Sequence, residues 1–228
     1  PEGWEMLTSL YLQVENLDKA KDAIERSLHY YPDNARQHLV LGSIYGQRKE
    51  NDKCMAELEK ALKLTDEADA ETLSSIYTAM GDNMYQQERV DSSYVYYRKA
   101  LTYNPANVLA LNNCAYHMAV QGKDLDEALK MIETVMQAEQ DNPTSLDTYA
   151  WVLFKKKDYA KARDMIDRTM ELTGEEDMSA DVLEHAGDIY FMDGEPEKAV
   201  EFWKEALKMD PSNELLQRKV KHKTYFFK

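Results

Sequence analysis

The sequence is poor in the features that mark membrane segments and phosphate-binding loops. Its 228 residues include 8 glycines and 6 prolines, and every glycine stands alone. No apolar run approaches the roughly 18 residues needed to span a bilayer, so we expect no direct membrane insertion by this segment. Neither a glycine-rich phosphate loop nor a Gly-x-Ser-x-Gly nucleophile elbow is present.

Basic residues are scarce relative to acidic ones. The chain has 28 lysines and arginines against 42 aspartates and glutamates, which gives a formal net charge of −14. A surface with this charge repels phosphate backbones. We therefore expect no nucleic-acid partner.

The five histidines are scattered, and none belongs to a metal-binding or catalytic pattern such as His-Glu-x-x-His. The nearest approach to a metal site is Glu184 with Asp188, four residues apart on one helix face. His185 points about 100° away from Glu184 around the helix. We expect no metal, no cofactor and no catalytic residues, which argues against an enzyme.

What the sequence does contain is a repeat of about 34 residues, the length of two antiparallel helices joined by a short turn. The first copy defines the pattern with Trp4, Leu7, Tyr11, Ala20, Ile24 and Pro32. The predicted repeats are 1–34, 35–68, 74–107, 108–142, 143–176 and 180–213, with an insertion at 69–73, a linker at 177–179 and a different segment at 214–228.

The spacing of small residues explains how the two helices of a repeat pack. Small residues at the eighth and twentieth places let two backbones approach, while large apolar residues three and four apart form one buried stripe. The eighth place of the last repeat is Gly187, so a leucine there should disrupt the hairpin. No strand pattern appears, and the whole chain is predicted to be helical.

The two cysteines, Cys54 and Cys114, lie two repeats apart. Each repeat advances the stack by about 10 Å, so the pair should be about 20 Å apart. A disulfide needs Cα atoms within ~7 Å. We predict two buried thiols and no disulfide.

Over residues 1–213 this pattern resembles the tetratricopeptide repeat family. The resemblance implies an all-α, right-handed α-solenoid of six helix-turn-helix repeats with a C-terminal capping helix, and a protein or peptide as partner. The stretches LNNCAYHMAVQGKDLDEALKM and LDTYAWVLFKKKDYAKA are similar to the last repeats of longer bacterial repeat proteins, many of them exported or lipid-anchored. This likeness implies the C-terminal part of a longer bacterial protein, exported or envelope-associated if an N-terminal signal was removed and otherwise cytoplasmic.

In this family the first helices of successive repeats line a concave groove. Counting along those helices gives more acidic than basic residues, with aromatic residues added in the C-terminal half. This combination suits a basic peptide with large apolar side chains. The candidate groove residues are Asp82, Tyr85, Asn112, Tyr116, Asp147, Trp151, Phe154, Lys155, Glu184, Asp188 and Phe191.

We expect the carboxylates of this groove to attract a cationic segment and its rings to hold apolar side chains. The assigned residues are Asp147, Glu184 and Asp188 for charge, Trp151, Phe154 and Phe191 for apolar contact, and Asn112 for the peptide backbone. The alternative is that Trp151 and Phe154 only pack neighbouring repeats together and that the carboxylates form a solvated face.

Residues 214–221 are predicted to form the capping helix. The ending that follows, Lys-Thr-Tyr-Phe-Phe-Lys, is basic and aromatic. The simpler expectation is a loose end after the cap; the alternative is that the ending occupies the groove of its own or another molecule. The predicted function is a non-catalytic protein-protein interaction scaffold, with a homo-oligomeric assembly element, using terminal repeats or this ending, as the alternative.

Overall fold

The computed structural model describes residues 2–174 and 177–226, and every regular element in this part of the chain is an α-helix. The predicted all-α class is therefore confirmed for the described residues. The helices are α1 (Glu2–Gln13), α2 (Leu17–Tyr30), α3 (Ala35–Gln47), α4 (Asn51–Leu64), α5 (Ala70–Gln86), α6 (Val90–Tyr103), α7 (Val108–Gln121), α8 (Leu125–Ala138), α9 (Pro143–Lys155), α10 (Tyr159–Thr173), α11 (Ala180–Met192), α12 (Pro196–Met209) and α13 (Glu214–His222).

The helices form two compact bodies, an N-terminal body (Pro1–Ala110) and a C-terminal body (Leu111–Lys228). In the N-terminal body, α1 packs on α2, α3 on α4 and α5 on α6; in the C-terminal body, α9 packs on α10 and α11 on α12. First helices of adjacent hairpins also touch, α3 with α5 and α9 with α11. Each body therefore has an inner layer made of first helices.

Each first helix ends with a residue in the left-handed conformation. At the end of α1, Glu15 has a φ of 53°, and the N–H of Asn16 donates to the carbonyl of Tyr11 at 2.8 Å. This arrangement is a Schellman motif, which satisfies the last carbonyls of a helix and reverses the chain. The left-handed residues that end the six first helices are Glu15, Lys49, Glu88, Gly122, Lys157 and Gly194, and the fourth turn has a second one, Asp124.

Within the hairpins, glycine allows close helix contact. A Cβ atom built on Gly187 would lie 2.3 Å from the indole ring of Trp203, and one built on Gly81 would lie 2.6 Å from the ring of Tyr97. Such distances are well inside van der Waals contact. The structure thus gives the physical reason for the small residue predicted at the eighth place of the repeat.

The predicted insertion at 69–73 is mostly helical in the structure. Residues 70–73 form the first turn of α5, and the side chain of Asp69 caps this turn by accepting a hydrogen bond from the N–H of Thr72 at 3.0 Å. The extra residues therefore lengthen a first helix instead of forming a separate loop.

The predicted capping helix is present as α13, which packs on α12. The side chain of Asn213 accepts hydrogen bonds from the N–H groups of Leu215 and Leu216, and Leu216 is buried. The two cysteines are free and buried, as predicted, and burial raises the pKa of the Cys54 thiol to about 11.

Candidate functional site

Most candidate groove residues lie in the inner layer of the C-terminal body, on α7, α9 and α11. Two others belong to α5 of the N-terminal body. There, Asp82 accepts a hydrogen bond from the hydroxyl of Tyr97 at 2.6 Å, and burial raises the pKa of Tyr85. The geometry that follows is that of the C-terminal body alone.

Aromatic rings of this inner layer stack on one another. The ring of Trp151 lies 4.1 Å from that of His185 and 4.9 Å from that of Phe154, measured between centroids, with interplanar angles of 19° and 9°. The ammonium of Lys155 lies 4.9 Å from the centre of the Trp151 ring, a cation–π contact. Trp151 is 8% exposed and Phe154 4%. Both rings are thus packed within the body, as the alternative interpretation required.

Phe191 lies apart from this stack. It is partly exposed, and its ring contacts Trp203 at 5.6 Å between centroids. Tyr116 of α7 lies nearer to the stack, with its ring 6.3 Å from that of His185.

Two of the three carboxylates assigned to a cationic ligand already hold a cation of the same body. The ammonium of Lys219, on α13, donates to Asp188 at 2.6 and 2.8 Å and to Glu184 at 2.7 Å. The indole N–H of Trp203 also donates to Asp188 at 2.9 Å. Lys219 is 1% exposed and Asp188 3%, so this is a buried ion pair that joins α11, α12 and α13.

The third carboxylate, Asp147, is paired with His185. Imidazole Nδ1 lies 2.9 and 3.1 Å from the two oxygens of Asp147. Burial by itself lowers the pKa of His185, but the charges of Asp147, Asp188 and Asp181 outweigh burial and raise it above its ordinary value. The pair thus links α9 to α11 through a histidine that holds its proton more tightly than usual.

An open cleft of about 680 Å³ lies between the N-terminal halves of α7, α9 and α11 and the end of α10. Its walls include Asp147, Asp177 and Asp181 and, among the described residues, no lysine or arginine. Asn112 also lines the cleft and is 7% exposed, and its buried side-chain oxygen has no hydrogen-bond partner among the described residues. The open cleft is therefore acidic and contains an amide oxygen without a hydrogen-bond partner among the described residues.

A second, smaller cleft of about 150 Å³ adjoins the open cleft, and the two share Tyr116, Asp181 and His185. Its walls also include Trp151 and, from beyond α13, Tyr225. We call it the covered cleft.

We call residues 223–226 the aromatic segment, and two of them, Tyr225 and Phe226, line one side of the covered cleft. The ring of Tyr225 contacts that of Phe154 edge to face at 5.7 Å, and burial raises the Tyr225 pKa to about 12. Phe226 contacts Arg218 at 4.5 Å and also lines the cleft. The expectation of a loose end is thus wrong for Tyr225 and Phe226, which line the covered cleft of their own chain, as the alternative expected. Residues 227–228 lie outside the described residues.

Sequence reasoning missed Lys219 and His185 as groove residues. Lys219 follows Leu216 at helical spacing and shares its buried face of α13, which was the available signal for a buried lysine. No sequence pattern indicated that His185 pairs with Asp147, since the two residues lie 38 positions apart.

Two structural searches gave negative results within the described residues. No group of three or more histidine, cysteine, aspartate or glutamate side chains is placed to hold a metal ion. No helix in the described part of the chain has the length and apolar character required to cross a membrane.

Stacked helical hairpins with a cleft along the inner layer define a helical-repeat protein. Two stretches, residues 6–69 and 180–213, match the family models described as Tetratricopeptide repeat. These two stretches are tetratricopeptide repeats, as the sequence predicted. Proteins of this fold generally act as non-catalytic scaffolds for protein-protein interaction.

A known protein with a similar sequence belongs to a eukaryotic complex. BBSome complex member BBS4 of Bos taurus is 26% identical over 166 residues, which cover 71% of this chain and 30% of the bovine protein. The chain thus spans about 30% of the length of the curated relatives it matches.

Solved structures confirm the solenoid fold. PilF of Pseudomonas aeruginosa superposes with a TM-score of 0.73 at 20% identity, covering 98% of this chain and 97% of PilF. YrrB, described as a tetratricopeptide repeat protein with an unusual peptide-binding site, gives a TM-score of 0.58 at 18% identity, covering 88% of this chain and 99% of YrrB.

Proposed function

We propose that the C-terminal body binds a basic, extended segment of a partner protein in the open cleft. The observation that carries this proposal is the charge of the cleft walls, where Asp177 and Asp181 face no lysine or arginine among the described residues and the third aspartate, Asp147, is paired with His185. Charge complementarity of this kind steers a partner and selects against acidic competitors. The occupant is therefore a protein segment rich in lysine or arginine.

Polar groups in the same cleft suit an extended peptide backbone. The unpartnered side-chain oxygen of Asn112 offers an acceptor, while its amide nitrogen donates to Asn113 at 3.4 Å, and Thr148 also lines the cleft. A buried polar atom without a partner costs about 1–3 kcal/mol, so a ligand that supplies the missing hydrogen bond gains affinity. A cleft of about 680 Å³ falls within the ~300–1,000 Å³ usual for ligand pockets.

Of the acidic residues in the cleft, Asp181 best reports on partner charge. It is exposed at the start of α11, whereas Asp147 is paired with His185. Removing the charge of Asp181 should therefore weaken binding while leaving the fold intact.

The test uses two labelled synthetic peptides, Ala-Lys-Tyr-Lys-Ala-Lys-Phe-Ala and the same peptide with glutamate in place of lysine, titrated by fluorescence anisotropy. We expect the lysine peptide to bind and the glutamate peptide not to bind. Asp181→Asn should weaken binding of the lysine peptide about 3- to 10-fold, with a smaller effect at high salt, as for a charge at the rim of an interface.

Asp164→Asn is the matched control, because Asp164 is also exposed in the C-terminal body but lies on α10 and does not line the cleft. It should bind the lysine peptide as the wild type does. Equal affinity for the two peptides, or equal effects of the two substitutions, would exclude the proposed site.

Self-association is the second candidate function, and the aromatic segment favours it. The contacts that Tyr225 makes with Phe154 in one molecule can equally be made with Phe154 of a second copy. Sedimentation velocity over a wide range of concentrations tests this candidate, since a strict monomer at all of them excludes it.

A further inference from the structure

The covered cleft and the open cleft form one continuous surface on the C-terminal body. Tyr116, Asp181 and His185 belong to the walls of both. A peptide that extends from the open cleft past these residues reaches the place where Tyr225 and Phe226 lie.

We infer that the aromatic segment is an internal competitor for the partner, and that the partner segment carries an aromatic side chain that displaces it from the covered cleft. This inference rests on the proposed function of the open cleft. It specifies that the ligand contains an aromatic residue, and that the aromatic segment limits access of the ligand to the groove.

The chain's own residues show which chemistry the covered cleft accepts. Its occupants are an ammonium group, Lys219, held by Glu184 and Asp188, and an aromatic ring, Tyr225, held against Phe154. The sequence of the segment, basic and aromatic, has the composition that the acidic and aromatic groove was expected to bind.

The segment fills the covered cleft incompletely. A space of about 150 Å³ remains beside Trp151, close to the volume of engineered cavities that take up one benzene ring. The indole N–H of Trp151 is buried without a hydrogen-bond partner among the described residues. A ligand that fills this space and offers a carbonyl to Trp151 therefore binds better than the segment does.

The segment nevertheless competes well because it follows α13 directly. Short flexible tethers give effective concentrations on the order of mM. When only about a tenth of the molecules have a free groove, the apparent dissociation constant of an external ligand rises about tenfold.

The experiment uses the full chain and a labelled peptide with the sequence of residues 222–228, His-Lys-Thr-Tyr-Phe-Phe-Lys. Tyr225→Ser combined with Phe226→Ser should increase affinity for this probe about tenfold, because the internal competitor is lost. A probe with serine in place of its tyrosine and two phenylalanines should bind neither protein.

Tyr30→Ser combined with Tyr31→Ser is the matched control, since these adjacent tyrosines are exposed in the N-terminal body. It should bind the probe with wild-type affinity. The inference is overturned if the wild type and the Tyr225/Phe226 variant bind the probe with equal affinity. It is also overturned if the probe binds neither of these two proteins. Failure of the inference is separate from failure of the proposed function, which the Asp181 experiment decides with a different peptide.

A second measurement needs no substitution. Hydrogen exchange of the peptic fragment containing residues 223–226 should quicken when the wild-type chain is saturated with the lysine peptide used above, because its aromatic rings displace the segment. An unchanged exchange rate at saturation contradicts the inference.

Discussion

The imidazole ring of His185 lies almost flat on the indole ring of Trp151, with centroids 4.1 Å apart and planes 19° from parallel. Because Asp147 holds the same imidazole through Nδ1, one histidine fixes both an aromatic ring and a carboxylate of the inner layer. The charge and the aromatic surface of the groove are therefore parts of one packed cluster.

Trp151→Ala tests how far this cluster serves packing and how far it serves binding. Removal of a buried tryptophan should lower the free energy of unfolding by about 3–5 kcal/mol, since its stacking partners lose their contacts. Urea unfolding gives that loss, and anisotropy with the lysine peptide gives the affinity. Lost stability with unchanged affinity would favour the packing interpretation over a direct role in binding.

Lys219→Met should be strongly destabilising. It leaves the buried carboxylate of Asp188 without its cation, and breaking one side of a buried pair costs about 3–5 kcal/mol. Thermal and urea unfolding measure the effect. Adding Asp188→Asn should restore part of the stability, because the neutral amide needs no cation.

Lys208→Met is the control for this prediction. Lys208 pairs with Glu205 at 2.6 Å, but both side chains are exposed, at 69% and 55%. Exposed pairs contribute about 0–1 kcal/mol. Similar losses for the two lysine variants would contradict the assignment of Lys219 to a buried ion pair.

Gly187→Ala should destabilise the last hairpin by about 1–3 kcal/mol, because the added methyl group overlaps the ring of Trp203 and forces α11 from α12. Gly3→Ala is the control, since a Cβ there meets nothing within 4 Å. It should be neutral or slightly stabilising, as alanine favours helix over glycine by about 1 kcal/mol. A Gly187 variant as stable as the wild type would rule out the close contact.

The His185–Asp147 pair should make stability depend on pH. The pKa of His185 is raised in the folded chain. The charged pair therefore stabilises the fold fully below the unfolded histidine pKa of about 6.5, and this stabilisation is lost as pH rises through the pKa of the folded chain. Asp147→Asn should therefore cost more stability at pH 5.5 than at pH 9, measured by urea unfolding at both. An equal loss at the two values would contradict this.

His117, on α7, should have the opposite effect on the pH dependence of stability to that of His185. Burial lowers its pKa to about 4, so the unfolded chain takes up a proton first as pH falls below about 6.5. Between about pH 6.5 and pH 4, His117 therefore lowers the free energy of unfolding by up to about 1.4 kcal/mol for each pH unit. His117→Gln should flatten the acid side of the stability profile, where Asp147→Asn lowers it.

The sequence predicted the helices and the close packing of Gly187 because both depend on local spacing. It did not predict the partners of Glu184 and Asp188, since Lys219 lies outside the repeat and its reach depends on how α13 docks. The position of the aromatic segment was open for the same reason. Long-range pairing between side chains is not encoded in a periodic pattern.

The left-handed turn residues carry a further consequence. Glycine adopts this conformation freely, yet only Gly122 and Gly194 use it, while glutamate or lysine occupies the other four turns. Each of these four residues costs roughly 1 kcal/mol, partly offset by the greater freedom that glycine has in the unfolded chain. The natural chain thus melts below the temperature that its architecture would allow, and its turns are where heat resistance can be gained without touching either cleft.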